Sequence, residues 1–255
     1  MAGSSAALFK SVIHRALRSF GFDLVSRRHW ESEYPPDFRD EDTDIIRRVR
    51  PWTMTSTERI YALIQAVRYL SANAVRGSIV ECGVWKGGSM AAIARTLLQM
   101  QDSERDLYLF DTFKGMSEPT TEDRDYSGKQ ASDLLLDDPG YRCDDAPLES
   151  VTKVLYDTGY RKEKIHFVEG KVEETIPDHA PDSISLLRLD TDWYESTKHE
   201  LVHLFPRLTH GGVIIVDDYG HWKGSQQACD NYFGQNHIPI LLNRIDYTGR
   251  IAVKL

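Results

Sequence analysis

The amino-acid sequence predicts an α/β fold, in which helices cover a mostly parallel sheet that ends in one antiparallel hairpin. Short apolar segments of strand character alternate with segments of helical periodicity, which is the pattern of βαβ units. Near the end of the chain, residues 238–245 and 250–255 flank the turn Asp246-Tyr247-Thr248-Gly249, and strands joined by so tight a turn pair antiparallel. The length of 255 residues suits one such domain with a small appendage.

The domain is expected to span residues 51–255, and its elements follow in a regular order. Thr55-Ser56-Thr57-Glu58 has the spacing of a helix capping box, and one apolar helical face follows it. A strand that ends in an acid, 78–81, leads through a glycine-rich turn, 82–89, into a helix, 90–100. Further strands are expected at 107–110, 165–168, 184–189 and 213–216, and further helices at 148–158 and 196–208.

Residues 117–150 form a long polar connection that is rich in Asp, Gly and Pro. A connection of this length without secondary structure is usually a functional lid or disordered. We therefore expect residues 117–150 to be a substrate lid.

Residues 1–50 are expected to form an amphipathic helix and a linker, the linker running over residues 31–44. The first thirty residues carry five basic side chains and one acidic side chain, and their apolar residues recur at helical spacing. Charged or polar residues interrupt every apolar stretch, which argues against a signal peptide. We expect the helix to pack on the domain or on a second copy in a homodimer. Contact with an anionic membrane surface is the less favoured alternative.

The charge balance and the cysteine count restrict the class of protein. With 31 basic and 39 acidic residues the net charge is −8, which argues against a nucleic-acid partner and is compatible with a cation site. The most apolar run, 213–216, is far too short to span a bilayer. Three cysteines without a C-x-x-C pair indicate a reduced, cytoplasmic protein.

The glycine-rich turn after the first strand is where we expect a cofactor. Its spacing is G-x-x-x-G-G, starting at Gly83, and differs from the G-x-G-x-x-G of dinucleotide-binding folds. Asp111 ends the next strand, where an acid accepts hydrogen bonds from ribose hydroxyls in nucleotide-binding α/β folds. Glu81, beside the turn, would repel a pyrophosphate but attract a sulfonium and an α-ammonium group. The turn therefore favours S-adenosylmethionine over NAD.

Four carboxylates follow two apolar strands at or just past their carboxyl ends: Asp190, Asp192, Asp217 and Asp218. Adjacent parallel strands lie about 5 Å apart, so these side chains should meet above the sheet. Unpaired, they would repel one another and raise each other's pKa. A hard divalent cation resolves that conflict, and ligands that are all oxygen suit Mg²⁺ or Mn²⁺ more than Zn²⁺.

Several segments together resemble the macrocin O-methyltransferase family. The match runs in the same order from about Asp37 to the C-terminus. The resembling segments are PWTMTSTER at 51–59, VECGVWKGGS at 80–89, FDTFKG at 110–115, EGKVEET at 169–175, LDTDWYEST at 189–197 and GGVIIVDDY at 211–219.

This resemblance implies a class I methyltransferase fold, a three-layer Rossmann-like sandwich with S-adenosylmethionine as methyl donor. It also implies Mg²⁺-dependent transfer to a hydroxyl of a sugar, natural-product or glycan acceptor. The implied metal ligands are Asp190, Asp217 and Asp218, and the implied general base is Asp192. The implied donor-binding residues are Thr53, Met54, Glu81, Gly83, Ser89, Asp111, Thr112, Gly170, Lys171 and Asp190.

Three other functions remain open at this point. An NAD-dependent oxidoreductase or a non-catalytic nucleotide-binding module would share the sheet, and a metal-dependent hydrolase would share the carboxylates. Within the methyltransferase hypothesis, Asp192 takes the acceptor proton and His221 is the alternative base.

Overall fold

The computed structural model of the protein describes residues 34–137 and 146–255. The strands of this part are β1 Ser78–Cys82, β2 Leu107–Asp111, β3 Ile165–Glu169, β4 Ile184–Leu189, β5 Leu208–Val216, β6 Asn243–Arg244 and β7 Arg250–Val253. The α-helices are α1 Asp40–Val49, α2 Thr57–Ala72, α3 Gly88–Gln99, α4 Ala131–Asp137, α5 Leu148–Tyr156, α6 Val172–Thr175, α7 Tyr194–Leu204 and α8 Lys223–Gln235. Short 3₁₀ turns occupy Arg50–Trp52, Lys162–Lys164 and Phe205–Arg207.

The strands form one sheet in the order β3-β2-β1-β4-β5-β7-β6. β1 to β5 pair in parallel, whereas β7 pairs antiparallel with β5 and β6 pairs antiparallel with β7. The predicted parallel sheet with a C-terminal antiparallel hairpin is therefore confirmed, but the first strand of the hairpin covers only Asn243–Arg244 and not the whole of 238–245. The strand order reverses between β1 and β4, and ligands of open α/β sheets bind outside the carboxyl ends of the strands at such a point.

Both faces of the sheet are buried, which is why its strands are almost continuously apolar. Ile79 belongs to a core shared with α2, α3 and α5, while its neighbour Val80 belongs to a second core shared with α7 and α8. Successive side chains of a strand point to opposite faces, so one strand contributes to both cores. The result is the expected three-layer sandwich.

Helix α1 lies partly where the linker was expected, so the linker prediction is wrong for residues 40–44. The compact unit that contains the sheet begins at Asp40, and α1 packs against α3 and α2. Ile45, Ile46 and Val49 are buried, while acids in its first turn and arginines in its last turn suit the helix dipole. Residues 1–33, with the predicted amphipathic helix, lie outside the described residues.

Two helix predictions need correction. Helix α2 is capped by Ser56, whose hydroxyl accepts from the backbone N–H of Arg59 at 3.1 Å, so the capping box at Thr55 and Glu58 is wrong by one residue. The Thr55 hydroxyl instead accepts from buried Arg188 at 3.2 Å.

Helix α8 was not predicted because its sequence is mostly polar and only a few side chains, such as Phe233, reach the core.

The described part of the expected lid, 117–137, has secondary structure of its own. Helix α4 buries Ala131 and Leu135 against Trp193 and Trp222. Buried Asp123 accepts from the backbone N–H of Tyr194 at 2.8 Å. Residues 138–145 lie outside the described part, and the role of 117–150 as a lid stays a prediction.

Two further sequence predictions concern the cysteines and the membrane. Cys82 and Cys229 are free and buried, and Cys143 is outside the described residues. Among the helices described, none combines the length and the apolar character that crossing a bilayer requires.

Candidate active site

A cavity of about 660 Å³ opens at the carboxyl ends of β1, β2, β4 and β5, beside the reversal of strand order. The sequence-predicted residues in its wall are Thr53, Met54, Gly83, Ser89, Asp111, Thr112, Gly170, Lys171, Asp190, Asp192, Asp217 and Asp218. Glu81 is the one predicted site residue that does not line it. Residues distant in the sequence thus meet at one place because parallel strands end at a common edge.

The glycine-rich turn between β1 and α3 fits closely against the end of β4. Gly83 has φ +80°, and a Cβ there would lie 2.0 Å from the Asp190 carbonyl oxygen. A Cβ at Gly88 would lie 2.5 Å from the Trp52 carbonyl oxygen. Only glycine permits these contacts, so the turn brings backbone rather than side chains to the cavity.

Asp111 organises this turn from the end of β2. Its Oδ2 accepts from the backbone N–H groups of Val84 at 2.6 Å and Trp85 at 3.0 Å. Its Oδ1 accepts from the backbone N–H of Phe113 at 2.7 Å. The Thr112 hydroxyl, 3.5 Å from Oδ1, donates its single proton to a backbone carbonyl at 2.6 Å, so one lone pair of Oδ1 remains for the cavity that Asp111 lines.

Glu81 lies beneath the turn and is fully buried. Its Oε1 accepts from Arg188 Nη1 at 2.8 Å, and its Oε2 has no hydrogen-bond partner in the part of the chain that the structure describes. Burial raises the pKa of Glu81 to about 8, against the opposing effect of Arg188. The structure therefore places Glu81 behind the cavity wall rather than in it.

Arg188, which was not predicted from the sequence, binds three of the predicted site carboxylates. It is fully buried, and its guanidinium donates to Glu81, to Asp190 at 2.6 Å and to Asp217 at 2.5 Å. Burial disfavours its charge, but the three carboxylates outweigh that effect and hold the pKa of Arg188 well above its usual value. An arginine inside the apolar strand 184–189 was the signal, because a buried charge requires partners.

The carboxylate cluster comprises Asp190, Asp217 and Asp218, which offer oxygens that all lie within 4.8 Å of one another. Burial and the nearby Asp192 charge raise the pKa of Asp218 well above its usual value, and burial raises that of Asp217 to about 6. Asp218 Oδ2 is buried without a hydrogen-bond partner among the described residues. A hard divalent cation would offset the repulsion among these carboxylates and would give the unpaired Asp218 oxygen a partner.

Arg59 joins this cluster to the turn between β6 and β7. Its Nη1 donates to Asp217 Oδ2, and its Nε donates to Asp246 Oδ2 at 2.9 Å. Ser56 Oγ also donates to Asp246, at 2.6 Å. The start of helix α2, the cluster and the C-terminal hairpin therefore form one ion-paired network.

Asp192 occupies the loop after β4 with φ +67°, a left-handed conformation that Asp tolerates better than most residues. The indole N–H of Trp222 donates to Asp192 Oδ1 at 2.7 Å. Burial, and then the Asp190 charge, raise the pKa of Asp192 to about 8. Trp222 was not predicted; it precedes the unexpected helix α8.

His221, the alternative base, also lines the cavity. Its Nδ1 lies 2.9 Å from the hydroxyl of Tyr247, and burial lowers the pKa of the imidazole. The ring is 4.7 Å from the Trp222 ring, so one indole separates His221 from Asp192.

The protein has a class I methyltransferase fold. Three features define it: the strand order, the glycine-rich turn followed by an acid at the end of β2, and the cavity where the strand order reverses. The family model described as Macrocin-O-methyltransferase (TylF) matches residues 7–253. The chain belongs to this family of S-adenosylmethionine-dependent O-methyltransferases, which confirms the resemblance found in the sequence.

Two curated relatives come from Streptomyces. The chain is 31% identical over 217 residues to 8-demethyl-8-(2,3-dimethoxy-alpha-L-rhamnosyl)-tetracenomycin-C 4'-O-methyltransferase of Streptomyces olivaceus, with 82% of this chain and 79% of that protein covered. It is 30% identical over 251 residues to demethyldecarbamoylnovobiocin O-methyltransferase of Streptomyces niveus, with 96% and 93% covered.

Solved structures show the same fold. The O-methyltransferase NovP has a TM-score of 0.69 and 25% identity, with 97% of this chain and 98% of that chain covered. The calicheamicin methyltransferase CalS11 has a TM-score of 0.62 at 20% identity, with 91% and 98% covered. Family membership decides against the oxidoreductase, hydrolase and non-catalytic alternatives.

Proposed function

We propose that the protein transfers the methyl group of S-adenosylmethionine to a sugar hydroxyl of a natural-product or glycan acceptor, with the help of Mg²⁺. The observation that carries the proposal is the cluster of Asp190, Asp217 and Asp218 in the wall of the same cavity as the glycine-rich turn. One relative is named for a rhamnosyl-bearing tetracenomycin and another as mycinamicin III 3''-O-methyltransferase, which supports an elaborate small-molecule acceptor.

The methyl donor is proposed to lie along the glycine-rich turn. Backbone groups at Gly83 and the start of α3 would approach its methionine part, and Asp111 would accept from its ribose hydroxyls. Gly170 and Lys171, which follow β3, would border the adenine, and Thr53 and Met54 would close over the donor. Glu81 would act from behind the wall, through its hydrogen bond to Arg188 rather than by contact with the donor.

The transfer is an in-line displacement in which the acceptor oxygen forms a bond to the methyl carbon as the carbon–sulfur bond breaks. S-adenosylhomocysteine leaves with the electron pair on sulfur, and the hydroxyl proton passes to Asp192. Burial raises the pKa of Asp192, which makes its carboxylate a stronger base than an exposed one. The Trp222 indole holds Asp192 in position for this role.

Asp190, Asp217 and Asp218 are the residues that would hold the cation. When bound, it would offset their mutual repulsion and supply Lewis acidity beside the acceptor. Arg188 and Arg59 already bind three of the six oxygens, so they would orient the carboxylates towards the cavity.

The segment 117–150 is proposed to cover the acceptor. Its described part reaches the cavity through Ser117, whose carbonyl accepts from the Trp193 indole at 2.9 Å. Helix α4 then packs on the pair Trp193 and Trp222, which links this segment to the residue that holds Asp192.

Transfer of label from S-adenosyl[methyl-³H]methionine to a panel of diol-containing glycosides and phenols tests this function. We expect product that depends on Mg²⁺ after treatment with a chelator, and S-adenosylhomocysteine binding that does not depend on Mg²⁺. If calorimetry detects no binding of S-adenosylhomocysteine, the proposed donor site is refuted. Equal transfer with and without a chelator would refute the metal requirement.

A further inference from the structure

Three aromatic rings pack together beside the cavity, and we call them the aromatic rim: His221 and Tyr247 line the cavity, and Tyr126 contacts both. The Tyr126 ring centroid lies 5.7 Å from that of His221 and 5.9 Å from that of Tyr247, and the last two are 5.8 Å apart. The side chains come from segment 117–137, from the loop before α8 and from the hairpin turn. Tyr126 is 63% exposed and Tyr247 is 55% exposed.

Tyr126 is held by a hydrogen-bonded turn. Buried Asp125 accepts through Oδ1 from the hydroxyl of Ser127 at 2.7 Å and from the backbone N–H of Lys129 at 2.9 Å. Asp125 also forms an antiparallel bridge with Trp222 in the loop before α8. The backbone beneath the Tyr126 ring is therefore fixed to the cavity wall.

Tyr247 is held equally firmly from the other side. Asp246 accepts from the backbone N–H of Thr248 at 3.0 Å and from Arg59 Nε at 2.9 Å. The N–H of Gly220 donates to the Thr248 carbonyl at 2.9 Å, and a Cβ at Gly220 would lie 2.5 Å from the Tyr247 carbonyl oxygen. The loop that carries His221 thus fits directly against the hairpin turn.

The rim adjoins the proposed base. The His221 ring packs edge-to-face on Trp222 at 4.7 Å, and Trp222 donates to Asp192. A molecule resting on the rim would present its edge to Asp192 and to the carboxylate cluster. The rim is therefore placed to orient the acceptor. The donor is proposed to lie elsewhere, along the glycine-rich turn.

Exposed tyrosine rings on rigid backbone suggest a ligand that completes their burial. A pyranose ring offers apolar C–H faces for aromatic contact and hydroxyls for the surrounding polar groups, and a tyrosine combines a ring with a polar tip. Deepening the proposed function, on which this rests, we propose that the aromatic rim binds the pyranose ring of a glycoside acceptor and orients its hydroxyls towards Asp192.

The experiment measures KM and kcat of the full-length protein with Mg²⁺ for a panel of methyl pyranosides that includes methyl α-L-rhamnopyranoside, beside catechol. For the pyranosides, Tyr126→Ala and Tyr247→Ala should each raise KM about three- to tenfold, the loss expected for one aromatic contact, and change kcat less. Tyr126→Phe and Tyr247→Phe keep the ring and should lose less than the alanine variants. Tyr69→Ala, an exposed tyrosine on α2 outside the cavity wall, is the matched control and should leave both constants unchanged.

S-adenosylhomocysteine titration of each variant separates the two proposals. If the wild type binds S-adenosylhomocysteine but the alanine variants keep the wild-type KM, the rim assignment is overturned and the proposed function stands. Methylation of catechol but of no pyranoside overturns the sugar assignment, as does methylation of none of the panel. If S-adenosylhomocysteine does not bind the wild type, the proposed function fails first.

Discussion

Asp192 and Asp217 lie in the same cavity wall but have different partners. Asp192 accepts from a neutral indole and its pKa is raised to about 8, whereas Asp217 accepts from two guanidinium groups and its pKa is raised only to about 6. A base must be able to gain a proton, whereas a cation ligand must remain ionised. The partners of each carboxylate therefore suit the role proposed for it.

Replacement of these two residues should have distinguishable effects. Asp192→Asn should lower kcat by about 10²- to 10⁴-fold, the range typical of a lost general base, and keep the affinity for Mg²⁺ nearly intact. Asp217→Asn should weaken Mg²⁺ binding, and added Mg²⁺ should partly restore its rate. Steady-state rates measured across a Mg²⁺ titration check both expectations.

Asp178→Asn is the matched control, because Asp178 is exposed and does not line the cavity. It should behave as the wild type. Rescue of Asp192→Asn by Mg²⁺ would identify Asp192 as a metal ligand and move the role of base to His221.

At the scale of elements, the β1–α3 turn depends on a glycine for space as well as for conformation. Gly83→Ala would place a methyl group 2.0 Å from a backbone oxygen at φ +80°. Gly159 has a similar φ, +81°, but no atom within 4 Å of a Cβ. Gly159→Ala should therefore cost only about 1 kcal/mol, from backbone strain alone.

Gly83→Ala should destabilise the protein by more than Gly159→Ala and abolish S-adenosylhomocysteine binding, because the turn must move away from the end of β4. Urea unfolding and calorimetric titration of the two variants measure the difference. Equal effects of the two substitutions would show that the close contact with β4 is unimportant.

Helix α4 offers a similarly matched pair for the proposed lid. Leu135 is 4% exposed against the tryptophan pair, whereas its neighbour Leu136 is 75% exposed. Loss of a buried leucine side chain costs about 2–5 kcal/mol, enough to detach a seven-residue helix. Leu135→Ala should therefore increase proteolytic cleavage between residues 117 and 150 and lower turnover.

Leu136→Ala should change neither cleavage nor turnover. In the wild type, an acceptor together with S-adenosylhomocysteine should slow cleavage of the same segment. Cleavage that is insensitive to these ligands and to Leu135→Ala would argue against a lid.

At the scale of the whole molecule, burial of carboxylates should make stability depend on pH. Folding raises the pKa of Glu81 from 4.5 to about 8. Between these two pH values Glu81 therefore holds a proton in the folded protein but has lost it in the unfolded chain. The contribution of protonated Glu81 to the free energy of unfolding is therefore complete below pH 4.5 and is lost as the pH rises towards 8. Without divalent cations, stability should fall over this window by up to about 1.4 kcal/mol per pH unit for one group.

Glu81→Gln should flatten this dependence, because the amide does not titrate. Urea unfolding in the presence of a chelator, repeated at several pH values, measures the slope. A slope that is the same in Glu81→Gln and the wild type would show that Glu81 does not carry it.

Much of the fold was accessible from local patterns. The strand at 184–189 was predicted with its observed ends, and the other parallel strands differ mainly by extension at one end. An apolar strand buried on both faces has a composition that neighbouring residues alone reveal. Helices α1 and α8 were missed because a few buried side chains, spaced among many charges and amides, give only a weak periodic signal.

The sequence by itself determined the fold class, the family and, apart from Glu81, a set of residues that do line the cavity, because strand ends, glycine spacing and acids are local features. Only the tertiary structure decided that Arg188 pairs with Glu81, that Trp222 holds Asp192 and that Arg59 ties the cluster to the hairpin. These contacts join residues that are 30 to 187 positions apart. Such pairings follow from how the strands are ordered and how the loops above them pack, which no local pattern in the chain records.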